Sequence, residues 1–286
     1  MMQKQHIDRL FVAYKPENIG SNKFLGQIKR KYNVKKAGFS GTLDPFAKGV
    51  LIMAFGKYTK LFRFLKKAPK TYRATLWLGA YSPTLDNERI EEVSMIKPFT
   101  EEEIRSVLAS FQGKLEYLPP KYSAKKIAGK RAYEMMRNNE DVELKTITST
   151  IYDIQLLHYR HPFVTFEVTI SEGGYIRSIG ALIAEKLGVA GALTMLERLR
   201  EGAFVYQDEK ALDPLPYLDM EENIYQGDPN DIKLGKKLSV HDFQKQKEAI
   251  YLVKLDTMFA IIEIRDDLVK YLLNGVNYAD TVEKSG

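Results

Sequence analysis

The stretch Lys35–Lys60, KKAGFSGTLDPFAKGVLIMAFGKYTK, sets a single acid, Asp44, in a turn with lysines on both sides and follows it with an apolar run. An isolated Asp-Pro ordinarily marks a turn or a helix start, with the carboxylate capping backbone N–H groups. Here Gly41 and Gly49 bracket the aspartate, Pro45 stiffens the turn, and VLIMAFG (50–56) reads as a short buried strand ended by glycine. A loop carboxylate anchored to a core strand is held in one place, as chemistry requires.

Outward from this stretch the chain mixes strands and helices in no repeating order. RLFVAY (9–14) reads as a strand entering the Lys15-Pro16 turn, and SNKFLGQIKRKY (21–32) has helical spacing. TYRATLWLG (71–79) alternates, with Tyr72, Ala74, Leu76 and Leu78 on one face, and FVTFEVTI (163–170) has strong β propensity. TEEEIRSVLASFQG (100–113) carries a Thr-x-x-Glu capping box, and KRAYEMMRN (130–138) reads as a short helix. YIRSIGALIAEKLG (175–188) reads as a helix closed by Gly188. The acidic stretch ending at residue 231 carries Pro214, Pro216, Gly227 and Pro229 and reads as a linker, spanning 216–231 between a main unit (1–215) and a small β-rich module (232–286). The fold class is α+β.

Composition narrows the chemistry. The chain of 286 residues has no cysteine, and none of its four histidines lies four residues from another, so thiol nucleophiles, disulfides and a histidine metal site are not expected. Phosphate-loop, dinucleotide-glycine and G-x-S-x-G patterns are missing. Catalysis would fall to carboxylate, hydroxyl, lysine or phenol groups, with no metal or cofactor. The amino terminus lacks a signal-peptide core and the run VLIMAF is too short to span a bilayer, so a cytoplasmic location without membrane contact is expected.

The net charge of +6 is unevenly spread. Residues 23–36, 57–73 and 121–137 hold six, seven and six of the 43 basic residues against one acid, Glu134, and are interleaved with aromatic side chains. Residues 205–231 hold eight acids against Lys210. Basic runs with aromatics suit a polyanion whose bases can stack, so a nucleic-acid partner is favoured over a membrane or an acidic protein.

Six segments, in order, resemble the TruB family of tRNA pseudouridine synthases. GFSGTLDPFAKGVLIMAFGKYTK is similar to its G-H-x-G-T-L-D-P-x-A-x-G-V-L…G-x-x-T-K motif, and YKPENIGSNKFLGQIK to its Lys-Pro motif. KTYRATLWLGAYSPTLD resembles K-x-Y-x-x-x-x-x-L-G-x-x-x-x-T-x-D, and LPPKYSAKKIAGKRAYEMMR resembles P-P-x-Y-S-A-x-K-x-x-G-x-R-A-Y-x-x-x-R. SEGGYIRSIGALIAEKLG resembles S-K-G-T-Y-I-R-S-L, and LERLREGAF resembles L-R-R-T-R-S-G-x-F. The resemblance implies a pseudouridine synthase fold, with a mixed, largely antiparallel central sheet flanked by helices. It also implies a mobile RNA-binding insertion at about 120–146 and a reduced PUA-like module at the carboxy terminus.

The implied roles follow residue by residue. Asp44 falls on the catalytic aspartate and Arg177 on the arginine paired with it, which would keep the carboxylate ionised. Tyr72 falls on the tyrosine that stacks on the flipped uracil, and Tyr175 on one lying against the same base as proton acceptor. Leu196, read at a helical position, falls on a leucine that packs on the base; Lys15 belongs to the Lys-Pro motif and is placed among the substrate contacts. Phe39 stands where the family has histidine: an aromatic wedge serves if that histidine opens the RNA loop and does not serve if it makes an essential hydrogen bond, while Asn18, Glu172 and Gly174 also depart from the pattern. The expected activity is isomerisation of the uridine at position 55 of the tRNA T-arm loop by a monomer without an obligate protein partner. Two rivals stay open at this point: an RNA-binding protein or tRNA folding chaperone with weak or no catalysis, and a carboxylate glycosidase with Asp86 as second acid.

Overall fold

A computed structural model describes residues 8–122, 126–127, 130–131 and 144–278. In chain order the strands are β1 (Arg9–Lys15), β2 (Ala37–Ser40), β3 (Lys48–Phe55), β4 (Lys70–Leu78), β5 (Ala80–Tyr81), β6 (Glu92–Val93), β7 (Gly113–Tyr117), β8 (Lys126–Ile127) and β9 (Lys130–Arg131). They continue with β10 (Ile147–Arg160), β11 (Phe163–Ile170), β12 (Gly191–Glu201), β13 (Glu221–Glu222), β14 (Ala249–Lys254), β15 (Met258–Arg265) and β16 (Leu268–Asn277). Helices are α1 (Ser21–Lys31), α2 (Glu101–Ala109), α3 (Ile176–Lys186) and α4 (Pro229–Lys233), and a 3-10 helix spans Gly56–Arg63.

The central sheet has eight strands in the order β1-β3-β12-β4-β11-β10-β7, with β2 added on β3. All its pairings are antiparallel except β12 with β3, so the sheet is mixed and largely antiparallel. β4 buries Tyr72, Ala74, Leu76 and Leu78 on one face, the alternation read from its sequence. Helices α2 and α3 cover that face, and the main core joins Leu76, Phe166 and Val168 of the sheet to Ile104, Leu108, Ile179 and Ile183 of the helices. The capping box of α2 is formed: Thr100 N–H donates to Glu103 Oε2 at 2.7 Å and Glu103 N–H to Thr100 Oγ1 at 3.2 Å. Such a cap stabilises a helix by about 1 kcal/mol.

Near the other end of the sheet, α1 buries Phe24 and Ile28 against Phe11, Leu51 and Met53 of β1 and β3. The opposite face of those strands, with Leu10, Val12 and Ile52, packs on Leu252, Phe259, Ile261 and Val276 of a second, four-stranded sheet ordered β13-β14-β15-β16. Asp266 and Asp267, both at positive φ, make the tight turn between β15 and β16. Tyr58 donates to Asn277 O at 3.0 Å and Arg63 to Leu272 O at 2.9 Å, while Lys57 donates to Gly275 O, so the 3-10 helix clasps edge strand β16.

Three expectations change. Residues 216–231 do not form a free linker: Leu218 and Asn223 are buried, β13 joins the second sheet, and α4 begins at Pro229. Leu196 lies on a strand, β12, rather than a helix. Lys130 and Arg131 of the expected helix 130–138 form β9, and the rest of that helix, like most of the insertion at 120–146, lies outside the described residues.

Candidate active site

The turn that carries Asp44 is fastened at several points. Gly41, at φ +71°, opens it; a side chain there would meet Glu201, Lys70 and Arg198 at 3.2–3.4 Å. Gly49, at φ +111°, closes it, and any Cβ would lie 2.2 Å from the Arg198 carbonyl oxygen, so only glycine fits. The first residue of α1 bridges the turn's backbone: Leu43 N–H donates to Ser21 Oγ at 3.0 Å, and that hydroxyl donates to Leu43 O at 2.9 Å. The Lys15 ammonium donates to Pro16 O, Ile19 O and Pro45 O at 2.8, 2.7 and 3.3 Å.

Arg177, the second residue of α3, lies buried beside Asp44, with Nε 2.9 Å from Asp44 Oδ2. A cation near a helix start is disfavoured unless anions surround it. Two do, because Nη1 also meets Asp86 Oδ2 at 3.1 Å. Nη1 donates to Thr84 O at 2.8 Å and Nη2 to Tyr122 O at 2.9 Å, so the fork is fixed on both sides. Asp86 is itself 2 % exposed and held, its Oδ1 accepting from the Thr84 hydroxyl at 2.6 Å and from Glu88 N–H at 3.1 Å. Burial pushes the Asp44 carboxyl above the usual aspartate range; Arg177 pulls it down, Asp86 raises it further, and Lys15 lowers it. The guanidinium therefore opposes the desolvation of Asp44 without cancelling it. Shared with a second carboxylate, it has less charge to give Asp44 than a dedicated partner would.

These groups open on a cavity of about 320 Å³. Asp44, Arg177, Tyr72, Tyr175, Leu196 and Glu172 all line it, with Leu43 and Ile176 adding apolar wall. Tyr72 and Leu196 sit on neighbouring strands β4 and β12 and are nearly buried, the setting for a flat apolar ligand face. Tyr175 caps the start of α3, and its backbone N–H donates to the Tyr117 hydroxyl at 2.9 Å, which also pairs with Ser149 at 3.0 Å. Among the described residues no group of three or more His, Cys, Asp or Glu is placed to hold a metal ion.

Five of the seven expected site residues thus come together. Lys15 and Phe39 stand apart from the cavity wall. Lys15 is fully buried with its ammonium on three carbonyls, so it holds the turn from behind instead of meeting substrate; burial lowers its pKa to about 8. Phe39, half-buried on β2, packs against the cluster containing Phe11, Phe24 and Met53. Glu172 has Lys67 3.6 Å away, which partly accounts for an acid at this rim. Asn18 adopts φ +62°, which asparagine tolerates in place of glycine. Asp86, read from the sequence only as the second acid of a rival glycosidase, instead holds Arg177; the T-x-D ending of its segment (Thr84-Leu85-Asp86) was the signal, since Thr84 and Asp86, two residues apart, both serve Arg177.

A model of the TruB family pseudouridylate synthase (N terminal domain) matches residues 29–176. The tRNA pseudouridine synthase B of Sulfurovum sp. (strain NBC37-1) is 54% identical over 276 residues, covering 96% of this chain and 100% of that protein. The protein of the same name from Campylobacter jejuni (strain RM1221) is 48% identical over 270 residues, covering 94% and 99%. Among solved structures, a chain of the archaeal box H/ACA sRNP Nop10–Cbf5 complex superposes with a TM-score of 0.63 at 20% identity, covering 94% of this chain and 86% of that one. A chain of a Cbf5–Nop10–Gar1 complex gives 0.62 at 22%, covering 98% and 84%, and these two likenesses show a common fold. With near-complete coverage at about half identity, and with the motif residues gathered around one cavity, the chain belongs to the TruB family of pseudouridylate synthases.

Proposed function

We propose that this protein converts the uridine at position 55 of the tRNA T-arm loop to pseudouridine, with Asp44 as the reacting carboxylate. The observation that carries the reading is the Arg177–Asp44 pair, 2.9 Å apart, at a cavity walled by Tyr72 and Leu196. A base inside a folded RNA loop must leave its stack to reach such a carboxylate. Tyr72 then offers a ring to the flipped uracil, and Leu196 packs on it. The C1′–N1 bond breaks, the base turns while held in the cavity, a C1′–C5 bond forms, N1 takes up a proton from water, and the C5 proton passes by way of Tyr175 to solvent. No electrons are exchanged overall. Asp44 acts either by forming a covalent adduct or by taking a sugar proton, and Arg177 with Asp86 keeps its carboxylate aimed in both cases. The names of the relatives, tRNA pseudouridine synthase B, support tRNA as the substrate.

Exposed cations on α1 and the turn after it supply contacts to the RNA backbone, which set orientation more than sequence. The protein acts as a single chain, in the cytoplasm, with Phe39 entering the opened loop once RNA is bound. The test is to incubate an unmodified tRNA transcript, and its isolated T-arm stem-loop, with purified protein and map pseudouridine by carbodiimide-dependent reverse-transcription stops. One stop at position 55 in both RNAs is expected. No stop, or stops only outside the T loop, would overturn the reading.

A further inference from the structure

Three charged side chains are buried together beside the Asp44 turn, apart from the Asp44–Arg177–Asp86 set, and two of them, Lys70 and Arg198, reach the cavity wall. Glu201, fully buried at the end of β12, lies at ion-pair distance from Arg198 (Nη2–Oε1 2.8 Å) and Lys70 (Nζ–Oε2 3.0 Å), and neither of its carboxylate oxygens receives a hydrogen bond of aligned geometry. Arg198 is 1 % exposed, and Lys70 is the direct cross-strand partner of Glu201 at the start of β4. Arg198 reaches the turn directly: Nε donates to Val50 O at 2.8 Å and Nη2 to Gly41 O at 3.1 Å. Those two carbonyls flank the loop that carries Asp44, so one guanidinium ties both of its ends. Gly41 sits with its Cα toward all three charged groups. The motif L-R-R-T-R-S-G-x-F, to which LERLREGAF is similar, has serine where this chain has Glu201. A serine hydroxyl is neither charged nor long enough to clamp two cations.

We propose that Glu201 is a positioning residue for the isomerisation, clamping Arg198 and Lys70 so that the loop from Gly41 to Val50 keeps its span and presents Asp44 correctly to the cavity. The inference rests on Asp44 as the reacting group. Without the glutamate charge, two largely buried cations would face each other, and leaving a buried charge uncompensated forces the surroundings to move. Lys70 lines the cavity and would shift toward it, while Arg198 would let go of Gly41 O. Displacements of about 1 Å at a reacting group cost on the order of a hundredfold in rate.

The test compares single-turnover tritium release from C5-labelled T-arm RNA at saturating protein, together with RNA dissociation constants, for the native chain, Glu201→Gln, Glu201→Asp and the double variant Lys70→Met/Glu201→Gln. Circular dichroism reports the fold of each. Glu201→Gln is expected to release tritium roughly 10- to 100-fold more slowly with RNA affinity changed less than about twofold. Glu201→Asp should recover part of the rate, and the double variant, with one charge of each sign removed, should be faster than Glu201→Gln. A folded Glu201→Gln with native release, or with affinity lost as much as rate, would overturn the proposal. Where Glu201→Gln fails to fold, the double variant decides: slow release with affinity retained supports the clamp, and native release overturns it. Asp44→Asn run alongside separates the two readings, since release by that variant would remove Asp44 from the chemistry whatever Glu201 does.

Discussion

Two basic runs of similar density meet opposite fates in this fold. In residues 23–36, Lys23, Arg30, Lys35 and Lys36 are exposed and Lys29 is half-buried, and of the six cations Lys31 alone is paired with a carboxylate among the described residues, Glu209 at 2.7 Å. In residues 57–73 six of the seven cations have a partner within the chain, most of them at the surface and Lys70 alone buried. Lys57 and Arg63 grip carbonyls of β16, Lys66 meets Asp219 at 2.9 Å, Lys67 meets Glu172 at 3.6 Å, Lys70 meets Glu201 at 3.0 Å and Arg73 meets Glu167 at 3.4 Å. The first run sits on α1, whose first residue is bonded to Leu43 next to Asp44, and eleven helical residues carry the charge about 16 Å from that anchor. The second run joins the central sheet to the carboxy-terminal sheet and reaches the Asp44 turn at Lys70. A cluster of lysines in a sequence therefore says little about nucleic acid until its partners, here 100 to 200 residues away, are known.

The largest effect expected from this contrast is on stability. Lys70→Met breaks a buried pair and should cost about 3–5 kcal/mol, whereas Lys36→Met should stay within about 0.5 kcal/mol, both read from urea unfolding. Equal costs would break the comparison. RNA binding should respond the other way. Replacing Lys23, Lys29, Arg30, Lys35 and Lys36 by Gln should lower the slope of log affinity against log salt by about 4 without changing the melting temperature, while Lys57→Gln with Arg63→Gln should leave the slope within about 1. Smaller still is the clasp on β16. Arg63→Ala should raise hydrogen exchange in that strand by an opening free energy of about 1 kcal/mol or less, because the bond is exposed.

A pH effect is expected at Lys15, which is fully buried. Its folded pKa is lowered by burial to about 8, from the 10.5 of an ordinary lysine. Between those values the unfolded chain binds the proton and the folded one does not, so this residue makes stability rise with pH across about 8 to 10.5 and adds no slope below about 8, where the amine is charged in both states. The neutral amine keeps fewer donors for its three carbonyls, which offsets part of the gain. Lys15→Met should remove the upward slope; a stability that falls across this window in the native chain relative to the variant would contradict the burial.

Sequence carried much of this architecture because several segments combine period and punctuation. FVTFEVTI and SNKFLGQIKRK match β11 and α1 closely, and the Thr100 capping box formed as written. The fourteen-residue β10 escaped notice, since ITSTIYDIQLLHYR alternates only in part and is interrupted by two register shifts. Residues 191–201 looked helical at Leu196 because leucine, glutamate and arginine favour helices, but their place between β3 and β4 makes them a strand. In the site, Asp44 and Arg177 were legible through motifs. Asp86 stood in a motif but its tie to Arg177 did not show, and Glu201 carried no signal, because a buried carboxylate looks the same in sequence as a solvated one until its cation is in place.

The central claim is that Asp44, held by Arg177, is the group on which the isomerisation depends. The most direct measurement is tritium release from T-arm RNA labelled at C5 of the target uridine, by native protein and by Asp44→Asn without added cofactor, with RNA affinity measured on both. The expected result is release by the native chain and none above background by the variant, at closely similar affinity. Release by Asp44→Asn, or RNA binding without release by the native chain, would contradict it.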